Sequence, residues 1–213
     1  MKKIYLWLII LIILVSIGIF IFVKFSKTNS AITKSANPII INLSPTISTT
    51  SQIFIEPVKN FKARVTKKPF GIYVTPKNSP VQPERFTGYH TGTDAEYQDI
   101  TTDVPVVAIA DGTIKLARTA SGYGGVIIEE TKIDNVAHSV LYGHIRPSSL
   151  PKIDQTVKAG QQIGLLGTGY STETDGERRH LHLAILSNNR IDLLGYVQQK
   201  AELSNWIDPL KFF

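Results

Sequence analysis

Apolar residues fall along this chain in two different patterns. From Ile4 to Val23 they form an almost unbroken run of about 20 residues, the length an α-helix needs to cross a bilayer. Residues 26–51 are rich in Ser, Thr, Asn and Pro without a helical period, which predicts a flexible linker, although Ile39-Ile40-Ile41 is apolar enough to dock. From Gln52 onward, short β-branched and aromatic runs are broken by Gly, Pro and Asp, the pattern of an all-β, antiparallel domain. The chain thus divides into a membrane anchor (1–25), a linker (26–51), a lead-in segment (52–84) that could add a strand or an inhibitory flap, and a main domain (85–213).

Turn chemistry predicts how the strands connect. Asp111-Gly112 between Pro105–Ala110 and Thr113–Leu116 reads as a two-residue hairpin turn, because both central positions can take positive φ. A polar turn at Asp134-Asn135 joins the run beginning at Gly124 to a partner strand from Val136 to Ile145. The glycines of Val157–Gly167 suit sharp corners, residues 168–179 read as a polar loop, and Asn188-Asn189 offers another hairpin turn. Trp206–Leu210 is expected to pack the carboxyl end against the domain.

The apolar run is preceded by Lys2 and Lys3 and followed by Lys24 and Lys27, so the positive-inside rule orients it only weakly. It is longer than the apolar region of a cleavable signal peptide, about 7–15 residues, which favours an uncleaved single-pass anchor. The short amino-terminal flank favours that end inside, so the carboxyl domain is expected on the extracytoplasmic side. The formal charge of +6 belongs to the first part of the chain: residues 1–50 hold five lysines and no acid, while 51–213 hold 18 basic and 17 acidic groups. A nearly neutral domain gives nucleic-acid binding little electrostatic support. The lysines instead suit anionic lipid or an anionic wall.

Cysteine is absent, which leaves imidazole and carboxylate as side-chain metal ligands. His180 and His182 stand two apart in an apolar run, so a strand points both imidazoles one way while Leu181 and Leu183 enter a core. His90 is followed four residues later by Asp94, but Thr91-Gly92-Thr93 disfavours a helix, and a turn or extended loop is expected. His144 ends an apolar strand, and His138 reads as an ordinary structural histidine. Arg178 and Arg179 read as solvated loop charges, with a substrate carboxylate as the alternative partner.

His90-Thr91-Gly92-Thr93-Asp94, then Ala110-Asp111-Gly112, Tyr142-Gly143-His144, Gly160 to Gly164, and His180-Leu181-His182 together resemble the lysostaphin-type zinc endopeptidases of bacterial cell walls, over about residues 85–213. The resemblance implies that fold, with His90, Asp94 and His182 as zinc ligands and His144 and His180 as catalytic histidines. Three protein ligands would leave a fourth position for water, the arrangement of a catalytic zinc. It further implies peptidoglycan peptides as substrate and a regulatory envelope protein as a potential partner. Leu183 and Ala184 stand where the family more often has Phe and Glu, and the 171–179 loop is long and charged. The competing readings are a non-catalytic activator of other wall enzymes, of the kind that family members lacking ligands become, and a zinc peptidase acting on protein. A lipoyl-type carrier is disfavoured because the expected hairpin tip is Asp111-Gly112 and not a lysine.

Overall fold

The computed structural model describes residues 52–213. The expected membrane helix at 1–25 and linker at 26–51 lie outside the described residues. Among those described, no helix is long and apolar enough to cross a membrane. Twelve strands and five short 3₁₀ turns make up the regular structure of the described residues, and every strand pairing among them is antiparallel.

The long strands β5 (Gly112–Ala120), β6 (Gly124–Ile133) and β7 (Val136–Ile145) form a meander at the centre of the main sheet. It is extended at one side by β8 (Thr156–Val157) and at the other by β10 (His180–Leu186). The outer edge of β10 carries β3 (Thr93–Glu96) and then β12 (Trp206–Ile207). The β6–β7 turn is Asp134-Asn135, as expected, with φ of 50° and 65° at the two residues. A two-residue turn with both central residues at positive φ matches the twist of the strands it joins.

Both faces of this sheet are covered. Alternation along β10 sends Leu181, Leu183 and Ile185 into a core with Ile127, Tyr142, Ile145 and Phe61. Ala184 and Leu186 on the opposite face pack with Val126, Ile128, Leu141 and Trp206. Trp206 thereby fastens the carboxyl end, as its apolar character leads one to expect.

Two turn expectations fail. β4 (Pro105–Val107) pairs with β9 (Gln162–Leu165) and not with β5, so Asp111-Gly112 does not close a hairpin. Residues between the two strands bond elsewhere: Ala108 N–H donates to Gln161 O, and Ile109 N–H to the Tyr142 hydroxyl. Asp111 instead accepts from Ala159 N–H and Lys158 Nζ. Asn188-Asn189 likewise leads to no hairpin, because Asn188 O accepts from Ser139 N–H and the chain runs on to β11 (Tyr196–Val197), which pairs with β2 (Gly88–His90).

The lead-in segment is built into the domain. Phe61 is fully buried in the main core, and β1 (Tyr73–Val74) pairs with β2, completing a three-stranded sheet with β11. A buried ion pair joins Lys68 to Glu84, and the same ammonium donates to the Tyr196 hydroxyl at 3.0 Å.

Candidate metal centre

Strand register brings the site together. In the β3–β10 pairing Asp94 stands opposite His182 and Glu96 opposite His180, so the four side chains share one face as cross-strand neighbours. His90 arrives from the end of β2, one short bend before β3, and this extended path replaces any helical pairing of His90 with Asp94. Gly92 makes that bend close: a Cβ there would stand 2.5 Å from Leu183 O and 2.7 Å from the His182 ring.

Three atoms converge. His90 Nε2 lies 3.0 Å from His182 Nδ1 and 3.2 Å from Asp94 Oδ1, and Asp94 Oδ1 lies 3.0 Å from His182 Nδ1. His90 Nδ1 is 3.2 Å from Pro69 O, and because a carbonyl only accepts, this nitrogen carries the proton and Nε2 presents a lone pair. A carboxylate oxygen and imidazole nitrogens converging inside a buried site call for a positive charge between them. Donors on a tetrahedron of zinc–ligand radius stand about 3.3–3.6 Å apart, within a few tenths of an ångström of this triangle. His90, Asp94 and His182 therefore fit a divalent ion of the zinc type, all three being buried.

His144 and His180 flank the triangle with ring centroids 4.1 Å apart. His144 is placed by a β-bulge. Gly125 pairs with Ile145 and Val126 with Gly143, leaving His144 as the extra residue. Its φ of 62° is uncommon for a non-glycine residue, and a bulge of this kind re-aims a side chain. Gly167 N–H donates to its carbonyl, while Gly125 admits the close approach because a Cβ there would meet Ile145 O at 2.1 Å. His180 Nδ1 donates to Arg178 O at 2.8 Å, leaving Nε2 facing Asp94 Oδ2 at 3.4 Å.

Burial first, and then the neighbouring His182, pull the His144 imidazole down to about 3. Burial and the Arg178 guanidinium likewise hold His180 well below the ordinary imidazole range. Both are neutral rings at pH 7. Burial alone would raise the Asp94 carboxyl, but the surrounding histidines hold it well below the usual carboxylate range.

A cavity of about 300 Å³ opens over Asp94, His144, His180 and His182, walled by Phe86, Tyr123, Leu194 and Tyr196. Tyr123 packs with its ring centroid 5.5 Å from both the His144 and the His182 rings. Tyr123 and Lys68, which also lines the cavity, went unnoticed in the sequence because neither belongs to a motif with a chemical signature.

His138 is structural, as expected, donating from Nδ1 to Leu186 O at 2.7 Å. The arginines correct the reading of solvated loop charges: Arg178 is 3% and Arg179 8% exposed. Arg178 binds Asp94 and Glu96, whereas Arg179 donates to the carbonyls of Ile100 and Thr102.

Residues 88–193 match the family model described as Peptidase family M23. Among solved structures, LytU is similar at 25% identity and a TM-score of 0.46, over 70% of this chain and 83% of that one. A zinc-containing peptidase from Vibrio cholerae is similar at 27% identity and a TM-score of 0.43, over 67% of this chain but 41% of that one, so the chain spans less than half its length. A chain of the SpoIIQ-SpoIIIAH pore-forming complex is similar at 20% identity and a TM-score of 0.48, over 76% of this chain and 90% of that one. No curated protein matches. Through residues 88–193 the chain belongs to Peptidase family M23, in agreement with the lysostaphin-type resemblance of its sequence.

Proposed function

We propose that the chain is a zinc metalloendopeptidase that hydrolyses peptide bonds in peptidoglycan stems or cross-bridges, held at the outer face of a cell membrane by residues 1–25. The observation that carries this reading is the convergence of His90 Nε2, Asp94 Oδ1 and His182 Nδ1 beside two further neutral histidines, with Asp94, His182 and both of those histidines lining one cavity.

His90, Asp94 and His182 would hold the ion, which when bound supplies Lewis acidity and a water with a pKa near about 7. Everything else falls to the chain. His180 Nε2 presents a lone pair that can take a proton, and His144, equally neutral, can give or receive a hydrogen bond as charge develops on a scissile carbonyl. Phe86, Tyr123, Leu194 and Tyr196 form a wall that limits water and can seat the apolar parts of a peptide. The regulatory reading would rest on a missing ligand, and the donor set here is complete.

The test is zinc content and muropeptide cleavage by the full chain in mild detergent, beside His182→Ala and His144→Ala. One zinc per chain and cleavage are expected in the parent. His182→Ala should lose both, and His144→Ala should keep zinc and lose at least about 100-fold in kcat, the usual scale of a general acid–base contribution. Zinc without cleavage of any muropeptide would shift the reading to the activator, and cleavage of protein alone would replace the substrate class.

A further inference from the structure

Arg178 has no place in the proposed ligand set, yet it is one of the most completely engaged side chains of the site. Its Nη2 donates to Asp94 Oδ2 at 2.8 Å and to Glu96 Oε1 at 2.7 Å. Its Nε donates to Glu96 Oε1 and Oε2 at 3.0 and 2.9 Å. Arg178 is 3% exposed, Asp94 1% and Glu96 9%. Asp94 and Glu96 stand two apart on β3 and therefore face the same way, so a single planar fork spans both.

The two oxygens of Asp94 are thus divided. Oδ1 faces His90 and His182, while Oδ2 is held by Arg178. A carboxylate free to turn about its Cβ–Cγ bond can offer a cation either oxygen or both, and each wrong orientation reduces the fraction of molecules ready to bind. From this division we infer that Arg178 is a positioning residue for metal ligation: it locks Asp94 so that Oδ1 alone enters the triangle, and Glu96 neutralises the guanidinium so that no net positive charge stands beside the cation. The inference rests on the metal reading proposed above and assigns the source of its geometry.

The experiment uses the full chain in mild detergent, titrated with Zn²⁺ against a chromophoric chelator, and with Co²⁺ followed by its visible absorption, which reports the coordination sphere. Arg178→Gln combined with Glu96→Gln removes the fork without changing the net charge of the site. It should weaken zinc binding about 10–100-fold, the usual cost of losing an outer-shell partner, and alter the cobalt spectrum. Arg178→Lys keeps the charge but not the fork and should show the same spectral change. It also covers the case in which the double variant does not fold. A purely structural Arg178 would lower the melting temperature of the metal-free protein and leave both readouts in place. Zinc affinity within twofold of the parent and an unchanged cobalt spectrum in a folded variant would overturn the inference while sparing the metallopeptidase reading. Absence of stoichiometric zinc in the parent would overturn both.

Discussion

Glu129 is a fully buried carboxyl on the core side of β6, and it makes stability depend on pH in a direction opposite to the usual one. Its Oε2 accepts from the Tyr142 hydroxyl at 2.5 Å, that hydroxyl accepts from Ile109 N–H at 2.9 Å, and Oε1 has no partner among the described residues. Burial, reinforced by Asp111, pushes the carboxyl up from 4.5 to about 7. Between those values the folded chain holds a proton that the unfolded chain releases, so the stabilisation is complete below about pH 4.5 and is lost as pH rises through about 7. At about 1.4 kcal/mol per pH unit over the width of that window, the loss is about 3 kcal/mol. Glu129→Gln keeps the shape and cannot ionise. The variant should therefore gain on the parent by about 3 kcal/mol between pH 4.5 and 8, or roughly 10 °C in Tm. The assay is denaturant unfolding of parent and variant across that range in excess chelator. Contributions of the buried histidines, which run the other way, then cancel in the difference between the two proteins. Parallel stability–pH curves would refute the reasoning by showing that water or a rearrangement solvates the carboxylate.

Two further perturbations probe the packing around the site. Gly143→Ala puts a Cβ 2.5 Å from the Tyr123 ring and 3.2 Å from His182 Cβ, so it should cost about 1–3 kcal/mol and displace the ring from between His144 and His182. A Tm equal to the parent's would show that the ring moves freely. Lys68→Met leaves Glu84 buried without its ammonium and should cost about 3–5 kcal/mol in denaturant unfolding. A loss below about 1 kcal/mol would mean that the pair behaves as a hydrated surface bridge.

Alternation was enough to read β10, because His180, His182, Leu181 and Leu183 report their two faces within one strand. The Asp134-Asn135 turn was equally legible, since positive φ at two adjacent residues is a local property of the chain. Asp111-Gly112 carries the same local signal for a different reason. Gly112 is needed because a Cβ would stand 2.4 Å from Glu129 Oε1, and Asp111 serves Lys158 and Ala159. A glycine demanded by packing cannot be told from one demanded by φ until the neighbouring strand is in place. The bulge at His144 was hidden for the same reason, being a mismatch of register between β6 and β7. Arg178 was misread because whether an arginine is buried depends on finding its counter-charges, and Glu96 lies 82 residues away.

Each member of the triangle is oriented from a different direction. His182 is fixed by pairing on both sides, with Asp94 opposite it on β3 and Gly143 opposite it on β7. Asp94 is fixed through its outer oxygen by Arg178 and through its backbone N–H, which donates to Lys68 O. His90 is fixed through the Pro69 carbonyl, and its backbone is held by Gly71 N–H and Ile72 O. Pro69, Lys68, Gly71 and Ile72 all precede the span that matches the family model, which begins at residue 88. The span from 88 to 193 therefore contains every proposed ligand and both flanking histidines, but not the groups that select the tautomer of His90 and hold the Asp94 backbone. In this chain the donors belong to the family span, and the segment that leads into it orients His90 and holds the Asp94 backbone.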